Sequence, residues 1–306
     1  MTRAARWIGA VVARALAVTG CSSFIDGQAA SSTYRILVAS MQAGRREADV
    51  ELAAAAVPGG LLQLEAFALA YPDHPGFRTL HTESLCQYAV GFVFDDWEDA
   101  SMAGRDAEAT RLAERLAPLL DRCRDANLAA LSPAWRAAWG LGPEAVGRQL
   151  ASATRAEVPA LLWLATTDAV RIALAPMQNL ARLGQTQVTL ARCTELAPGF
   201  HDADAELLLA TFEAARARLF GGPDGAAGFE LARQRAGTGL LMVDVMFARG
   251  TAVARKDRAL FEATLGRVLA ADAARWPERR LGNELARRKA RRYLAAADAL
   301  FGASPR

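Results

Sequence analysis

The chain has 306 residues, of which 52% are hydrophobic and 23% charged, and its formal net charge at pH 7 is +3. This composition supplies enough apolar material for one large or two modest hydrophobic cores. A nearly balanced charge gives no support to nucleic acid or a strongly anionic membrane surface as a partner.

The first 20 residues have the layout of a secretory signal peptide. A basic start containing Arg3 and Arg6 precedes a mostly apolar stretch, and small residues lead up to Cys21. A cysteine directly after such a segment is typical of a lipobox, in which the thiol receives a lipid before cleavage. We therefore predict that residues 1–20 are removed and that Cys21 is the lipidated N-terminus of the mature protein. An ordinary secretory signal is the alternative.

The predicted signal segment also carries the excess positive charge. Its arginines are Arg3, Arg6 and Arg14, and it has no acid, so its removal lowers the 36 basic residues to the number of acidic ones, 33. Arg14 interrupts the apolar stretch and shortens it. Ser22, in place of the aspartate typical of inner-membrane retention, predicts anchoring at the periplasmic face of the outer membrane.

Three further cysteines follow, Cys86, Cys123 and Cys193, and none belongs to a C-x-x-C pair. In an oxidising compartment an odd number leaves at least one of them free. Burial as small hydrophobic side chains is the favoured reading. Whether any of the three forms a disulfide stays open.

Helix-favouring residues dominate the rest of the chain, and alternating strand patterns are absent. We predict a short tether at 21–33 and a single α-helical domain at 34–306. No stretch is expected to provide the roughly 18–20 apolar residues that cross a bilayer.

The C-terminal third shows the organisation best. Apolar residues recur every three or four positions across 204–219, and Gly221 and Gly222 end that helix. Asp224 is the predicted N-cap of the next helix, which runs to about Ala236. Two more helices are predicted at about Leu240 to Val253 and Arg258 to Ala271.

Helix hairpins of this kind bury one side only and must stack on their neighbours. Proline-bearing turns end apolar helices at 66–76, 193–200 and 268–277, with irregular spacing. The predicted fold is therefore all-α, with tetratricopeptide-like stacked helix hairpins that form an irregular α-solenoid.

Four segments, together with the lipobox, resemble the T-component family of TRAP transporters, the TatT-like periplasmic lipoproteins. They are 158–174 (VPALLWLATTDAVRIAL), 193–222, 244–265 and 257–301. The resemblance implies a tetratricopeptide-like homotrimer with apolar cavities or a pore through each protomer. It also implies association with the substrate-binding protein of a tripartite ATP-independent periplasmic transporter. In that picture the protein is not an enzyme and binds or relays a hydrophobic organic solute.

The candidate ligand-binding residues are Trp163, Asp168 and Arg171. Core packing is the favoured role of Trp163, as of the other tryptophans that follow the signal segment, with ligand contact as the alternative. Asp168 and Arg171 lie three residues apart on a predicted helix and can pair across one turn. If that helix lines a cavity, Arg171 would instead bind a ligand carboxylate. A purely structural envelope adaptor without a small-molecule site is the alternative to a transport accessory.

Other motifs do not indicate catalysis. No nucleophile elbow or phosphate-binding loop occurs, and 140–145 is interpreted as a glycine-rich helix connector. No histidine spacing fits a zinc site, so no metal and no cofactor are predicted. The acidic run 95–99 is interpreted as a solvated helix end. The basic run 287–292 is interpreted as a solvated or helix-pairing face rather than a nucleic-acid site.

Overall fold

The computed structural model describes residues 27–302, and these residues are helical with short connections and no strand. The all-α prediction is confirmed. The tetratricopeptide-like solenoid stays a prediction. The signal segment, Cys21 and Ser22 lie outside the described residues.

The N-terminal part begins with a helix that was not expected so early. This helix, α1 (27–45), covers the second half of the predicted tether. Ala30 is buried, and the Ser31 hydroxyl donates to the Gly27 carbonyl one turn before it. Small and hydroxylated residues are therefore accommodated in the helix, because their side chains bond locally or pack.

The next helices form two neighbouring pairs. Asp49 caps α2 by accepting from the Leu52 amide, and a π-helical turn joins α3 to α4. The bounds are α2 Val50–Ala70, α3 Pro75–Tyr88, the π turn Ala89–Val93, α4 Phe94–Met102 and α5 Asp106–Ala130.

Helix α2 contradicts the expectation that no stretch is long and apolar enough to cross a bilayer. Its 21 residues are long and apolar enough to cross a bilayer by length and composition, so the statement that no stretch approaches this limit was wrong. Only 17% of its most apolar window is buried. Seven of its residues are alanine and two are glycine, so its large apolar side chains are interspersed with small residues and form no long run. Leu62 and Leu69 are exposed on it.

The middle and C-terminal helices follow in close succession. They are α6 Pro133–Trp139, α7 Pro143–Leu150, α8 Val158–Leu174, α9 Pro176–Asn179, α10 Arg182–Leu196, α11 Phe200–Phe220, α12 Ala226–Ala236, α13 Leu241–Phe247, a second π turn Ala248–Ala252, α14 Arg258–Ala270, α15 Arg280–Ala295 and α16 Ala297–Phe301.

The predicted C-terminal helix ends agree with this order. Gly221 ends α11 with a positive φ of 75°, and α14 spans nearly the predicted range. The predicted N-cap Asp224 was one residue too early, since Gly225 is the N-cap of α12. The Asp224 carboxylate nevertheless accepts from the Ala226 amide at the start of that helix. Residues 140–142 form the turn between α6 and α7, and residues 143–145 are the first turn of α7, so the segment is a helix connector as interpreted.

Neighbouring helices pack in sequence, since α2 contacts α3, α4 contacts α5, α11 contacts α12 and α14 contacts α15. The central contact is that of α5 with α8, which joins the N-terminal pairs to the middle of the chain. The core of the described residues consists of four clusters along this series. Trp135 is fully buried in the cluster that surrounds α8.

Two of the three cysteines expected as simple buried side chains form a disulfide. Cys86 of α3 and Cys123 of α5 are bonded to each other, and Cys193 is free and buried. Periodicity places each of them on a buried helix face but cannot show that two such faces meet.

The acidic and basic runs meet each other, so the solvated interpretation of the acidic run was wrong. Arg292 and Lys289 of α15 each bond both Asp95 and Glu98 of α4, all at 2.6 Å. Tyr293 donates to Glu98 at 2.7 Å. We call these five residues the Asp95 cluster. It joins α4 to α15, which confirms the helix-pairing reading of the basic run.

Candidate functional site

An apolar pocket of about 540 Å³ lies between α1, α2 and α3. Leu281 at the start of α15 closes part of it, so the pocket lies where the C-terminal helix returns to the N-terminal pairs. The walls are largely aliphatic; they include Leu37, Met41, Ala53, Val57, Gly60 and Leu64.

Small residues on α2 leave the space that forms this pocket. Ala53, Ala56 and Gly60 recur on the pocket side of the helix, and a Cβ added at Gly60 would meet nothing within 4 Å. A helix with large side chains at these positions would fill the volume. The adjacent Gly59 also has open space around it but does not line the pocket.

Polar groups at the rim of the pocket are bonded to one another. Arg45 pairs with Glu83 at 3.2 Å, and the Gln87 amide donates to the same carboxylate at 3.0 Å. The Ser84 hydroxyl lies 3.9 Å from the Met41 sulfur. Arg45 and Gln87 are therefore engaged with Glu83, and the other polar side chains of a mostly apolar lining include Ser40, Glu47, Gln63 and Ser84.

Glu83 connects this rim to the start of α11. His201 lies 3.8 Å from Glu83 and 2.6 Å from Asp204. The interaction with His201 holds the pKa of Glu83 below its usual value, although burial opposes it. In turn Asp204 and Glu83 raise the pKa of His201 to about 10, so the imidazole is a cation between two carboxylates at neutral pH.

The backbone at this point is left-handed. His201, Asp202 and Ala203 have φ values of 52°, 59° and 64° after Gly199 at 72°. Non-glycine residues in this region are uncommon and cost free energy. The surrounding contacts, including the pair of Asp202 with Arg279 of the segment before α15, hold the segment in place.

The structure places Trp163 beside this left-handed segment. Its ring centroid lies 6.0 Å from that of His201, edge to face, and its side chain is half-buried on α8. Trp163 does not line the apolar pocket. Its predicted contact with a ligand stays a prediction.

Asp168 is buried and faces α10 rather than Arg171. Its carboxylate accepts from Arg182 at 2.8 Å and from Gln185 at 3.2 Å. Burial raises the pKa of Asp168, and Arg182 offsets only part of that effect. Arg182 and Gln185 lie 14 and 17 positions after Asp168. The predicted pairing considered only residues one helical turn away, so its choice of Arg171 as the partner of Asp168 was wrong.

Arg171 likewise pairs with another helix. Its guanidinium bonds Asp121 of α5 at 2.8 Å, so it ties α8 to α5. The predicted bond between Asp168 and Arg171 is therefore replaced by one interhelical contact for each residue. Neither residue lines the apolar pocket, and their ligand role also stays a prediction.

The residues that form the pocket were not found from the sequence. The run of alanines and glycines from 53 to 60 is the signal that could have indicated a helix with room beside it. Within residues 27–302 no group of three or more His, Cys, Asp or Glu side chains could hold a metal ion.

The family model described as TRAP transporter T-component matches residues 46–301. The chain belongs to this family, which is a component of a transport system of the bacterial envelope. A search of curated proteins found no match.

Proposed function

We propose that this T-component is a lipid-anchored, non-enzymatic accessory of its TRAP transporter, which binds or relays a hydrophobic organic solute and docks the substrate-binding protein of that system. Its place would be the periplasmic face of the outer membrane, with Cys21 as the anchor. Family membership supports the transport role. The assembly would be a homotrimer, as the family resemblance implies.

The apolar pocket carries the proposal. Its volume of about 540 Å³ falls within the range of small-molecule sites, and its walls are mostly aliphatic. Since the rim groups Arg45, Glu83 and Gln87 are bonded to one another, a bound solute would gain mainly from burial of its apolar surface.

Two observations support an envelope location. The Cys86–Cys123 disulfide is of the kind that persists in oxidising compartments and is rare in the cytosol. The chain from Cys21 to the start of α1 at residue 27 is short, so a lipid at Cys21 would hold α1 and the apolar pocket near the membrane.

Exposed apolar side chains support a docking surface near the same helices. Ile36 of α1 is 69% exposed, and Leu52, Leu62 and Leu69 of α2 are also exposed. Surface leucines concentrated on neighbouring helices are typical of a protein or membrane contact. We place the contact with the binding protein, or with other copies of the chain, on this face.

The pocket can be tested with two neighbouring substitutions. Gly60→Trp puts a large side chain into the pocket, while Gly59→Trp puts the same side chain beside it on the same helix. Both remove a helix-interior glycine, so their effects on helix propensity are matched.

The readout is binding of the apolar fluorescent probe N-phenylnaphthylamine to the purified full chain. Wild type and Gly59→Trp should bind alike, and Gly60→Trp should bind at least tenfold more weakly. Equal binding by all three proteins would contradict the pocket assignment, and absence of binding by wild type would favour the structural adaptor.

A further inference from the structure

A second cavity, of about 350 Å³, lies between α10, α11 and α12, away from the apolar pocket. One wall comes from α11, with carboxylates at both ends of an apolar stretch. The lining residues that matter are Glu206, Leu209, Ala210, Glu213, Gln187 and Leu231.

Glu206 lies at the closed end of this cavity, with 3% of its surface exposed. Its Oε1 accepts from the Gly199 amide at 3.0 Å and from the Arg235 guanidinium at 2.5 Å. Its Oε2 is buried and has no hydrogen-bond partner within residues 27–302. A buried carboxylate oxygen without a donor is costly, so this atom calls for a donor from outside the chain.

Glu213 follows Glu206 by seven residues on the same face of α11. At 1.5 Å per residue, the two backbone positions are about 10.5 Å apart. Glu213 has no ion-pair partner among the described residues and is half-buried at the open end of the cavity. Between the two carboxylates the wall is apolar, formed by Leu209 and Ala210 and faced by Leu231 of α12.

Two arginine side chains, Arg235 and Arg216, lie near the two glutamates. Arg235 is already bonded to Glu206 through Oε1, while the buried Oε2 has no hydrogen-bond partner among the described residues. Arg216 lines the cavity but is exposed, and its Nη2 lies about 3.5 Å from where a Gly222 Cβ would be, at the end of α11. Arg235 is not part of the lining, and Arg216 lies one turn beyond Glu213 on α11, so neither arginine interrupts the wall between the two glutamates.

We propose that this cavity binds a linear aliphatic diamine. One ammonium donates to Glu206 Oε2 at the closed end, and the methylene chain lies along Leu209, Ala210 and Leu231. The second ammonium pairs with Glu213 at the open end. The order of carboxylate, apolar wall and carboxylate matches the order of groups in such a ligand. A dicarboxylate of similar length would place its charges against both glutamates.

The test is isothermal titration of the full chain, purified in detergent, with putrescine, cadaverine, n-butylamine and succinate. Wild type should bind cadaverine or putrescine at least tenfold more tightly than n-butylamine, because only the diamines reach Glu213. Glu213→Gln should remove that preference and leave n-butylamine affinity unchanged. Glu114→Gln, which changes an exposed carboxylate of α5, is the control and should behave as wild type.

Glu213 lies at the rim, so its substitution leaves the packed core intact. Absence of diamine binding to wild type, or an unchanged diamine preference in Glu213→Gln, would overturn the proposal. Tighter binding of succinate than of either diamine would also overturn it, because Arg216 and Arg235 would then determine the ligand.

Discussion

Arg292 bonds Asp95 across 197 positions of the chain, in a site where the arginine and aspartate side chains are 6% and 1% exposed. The same guanidinium donates to the Asp95 carbonyl at 3.1 Å and bonds Glu98. This single side chain therefore joins the last long helix, α15, to α4 of the second N-terminal pair.

Removal of Arg292 should destabilise the protein strongly. Arg292→Ala leaves Asp95 and Glu98 buried with Lys289 between them and Arg288 3.5 Å from Asp95. Loss of one partner from a buried ion pair costs about 3–5 kcal/mol. Thermal unfolding should show a large decrease in Tm. Arg291→Ala changes an exposed neighbour on the same helix and should have little effect. Equal Tm values for the two variants would contradict the role of the Asp95 cluster.

The Asp95 cluster should also make the free energy of unfolding depend on pH in the acidic range. Burial opposes ionisation of Glu98, but Lys289 and Arg292 outweigh it and hold its pKa below the usual value. The ionised carboxylate therefore contributes stability above its unfolded pKa of about 4.3, and this is lost as the pH falls through the lower folded pKa. In urea unfolding, Glu98→Gln should be less stable than wild type at neutral pH and should lose less stability below about pH 4. Parallel pH profiles would contradict this.

The contribution of His201 to stability should have the opposite pH dependence and decrease as the pH rises. Its folded pKa of about 10 exceeds the unfolded value of about 6.5, so its contribution is fully present below about pH 6.5 and is lost as the pH rises toward 10. The free energy of unfolding of wild type should decrease across this interval more than that of His201→Gln. If both proteins lose the same amount, His201 is not held between Asp204 and Glu83 as a cation.

The disulfide should contribute measurably to stability. Replacement of both Cys86 and Cys123 by alanine should lower the free energy of unfolding by roughly 2–4 kcal/mol, since the bond closes a loop of 37 residues. Reductant should lower the Tm of wild type and leave that of the double variant unchanged. Cys193→Ala keeps the bond and should keep the sensitivity to reductant; a wild-type Tm that ignores reductant would argue against the bond.

Lys256 offers a stabilising substitution. It has a φ of 56° after α13 and the second π turn, where the Asp257 amide donates to the Ala252 carbonyl at 2.9 Å. Gly104 takes the matching position after α4, where Arg105 donates to Ala100 at 2.9 Å. Lys256→Gly should raise the free energy of unfolding by about 0.5–1 kcal/mol, and Gly104→Lys should lower it. Changes of the same sign in both variants would contradict the shared conformation.

Local sequence signals predicted the helices well and their partners poorly. Gly221 and the proline turns mark where helices end, because these residues act on the backbone beside them. Asp168, Arg171 and Asp95 instead bond residues of other helices, and one sequence does not show which faces meet. The apolar pocket was not predicted for a related reason. It forms where small residues of α2 leave space between three helices, and the sequence does not show which helices are neighbours.

The central claim is that the chain binds an apolar solute and docks the substrate-binding protein of its transporter. Native mass spectrometry of the full chain in detergent, alone and mixed with the binding protein encoded beside it, tests both parts together. We predict a trimer that takes up the binding protein and retains a small apolar mass. A bare monomer that neither takes up the partner nor holds a ligand would contradict the claim and leave a helical adaptor as the better account.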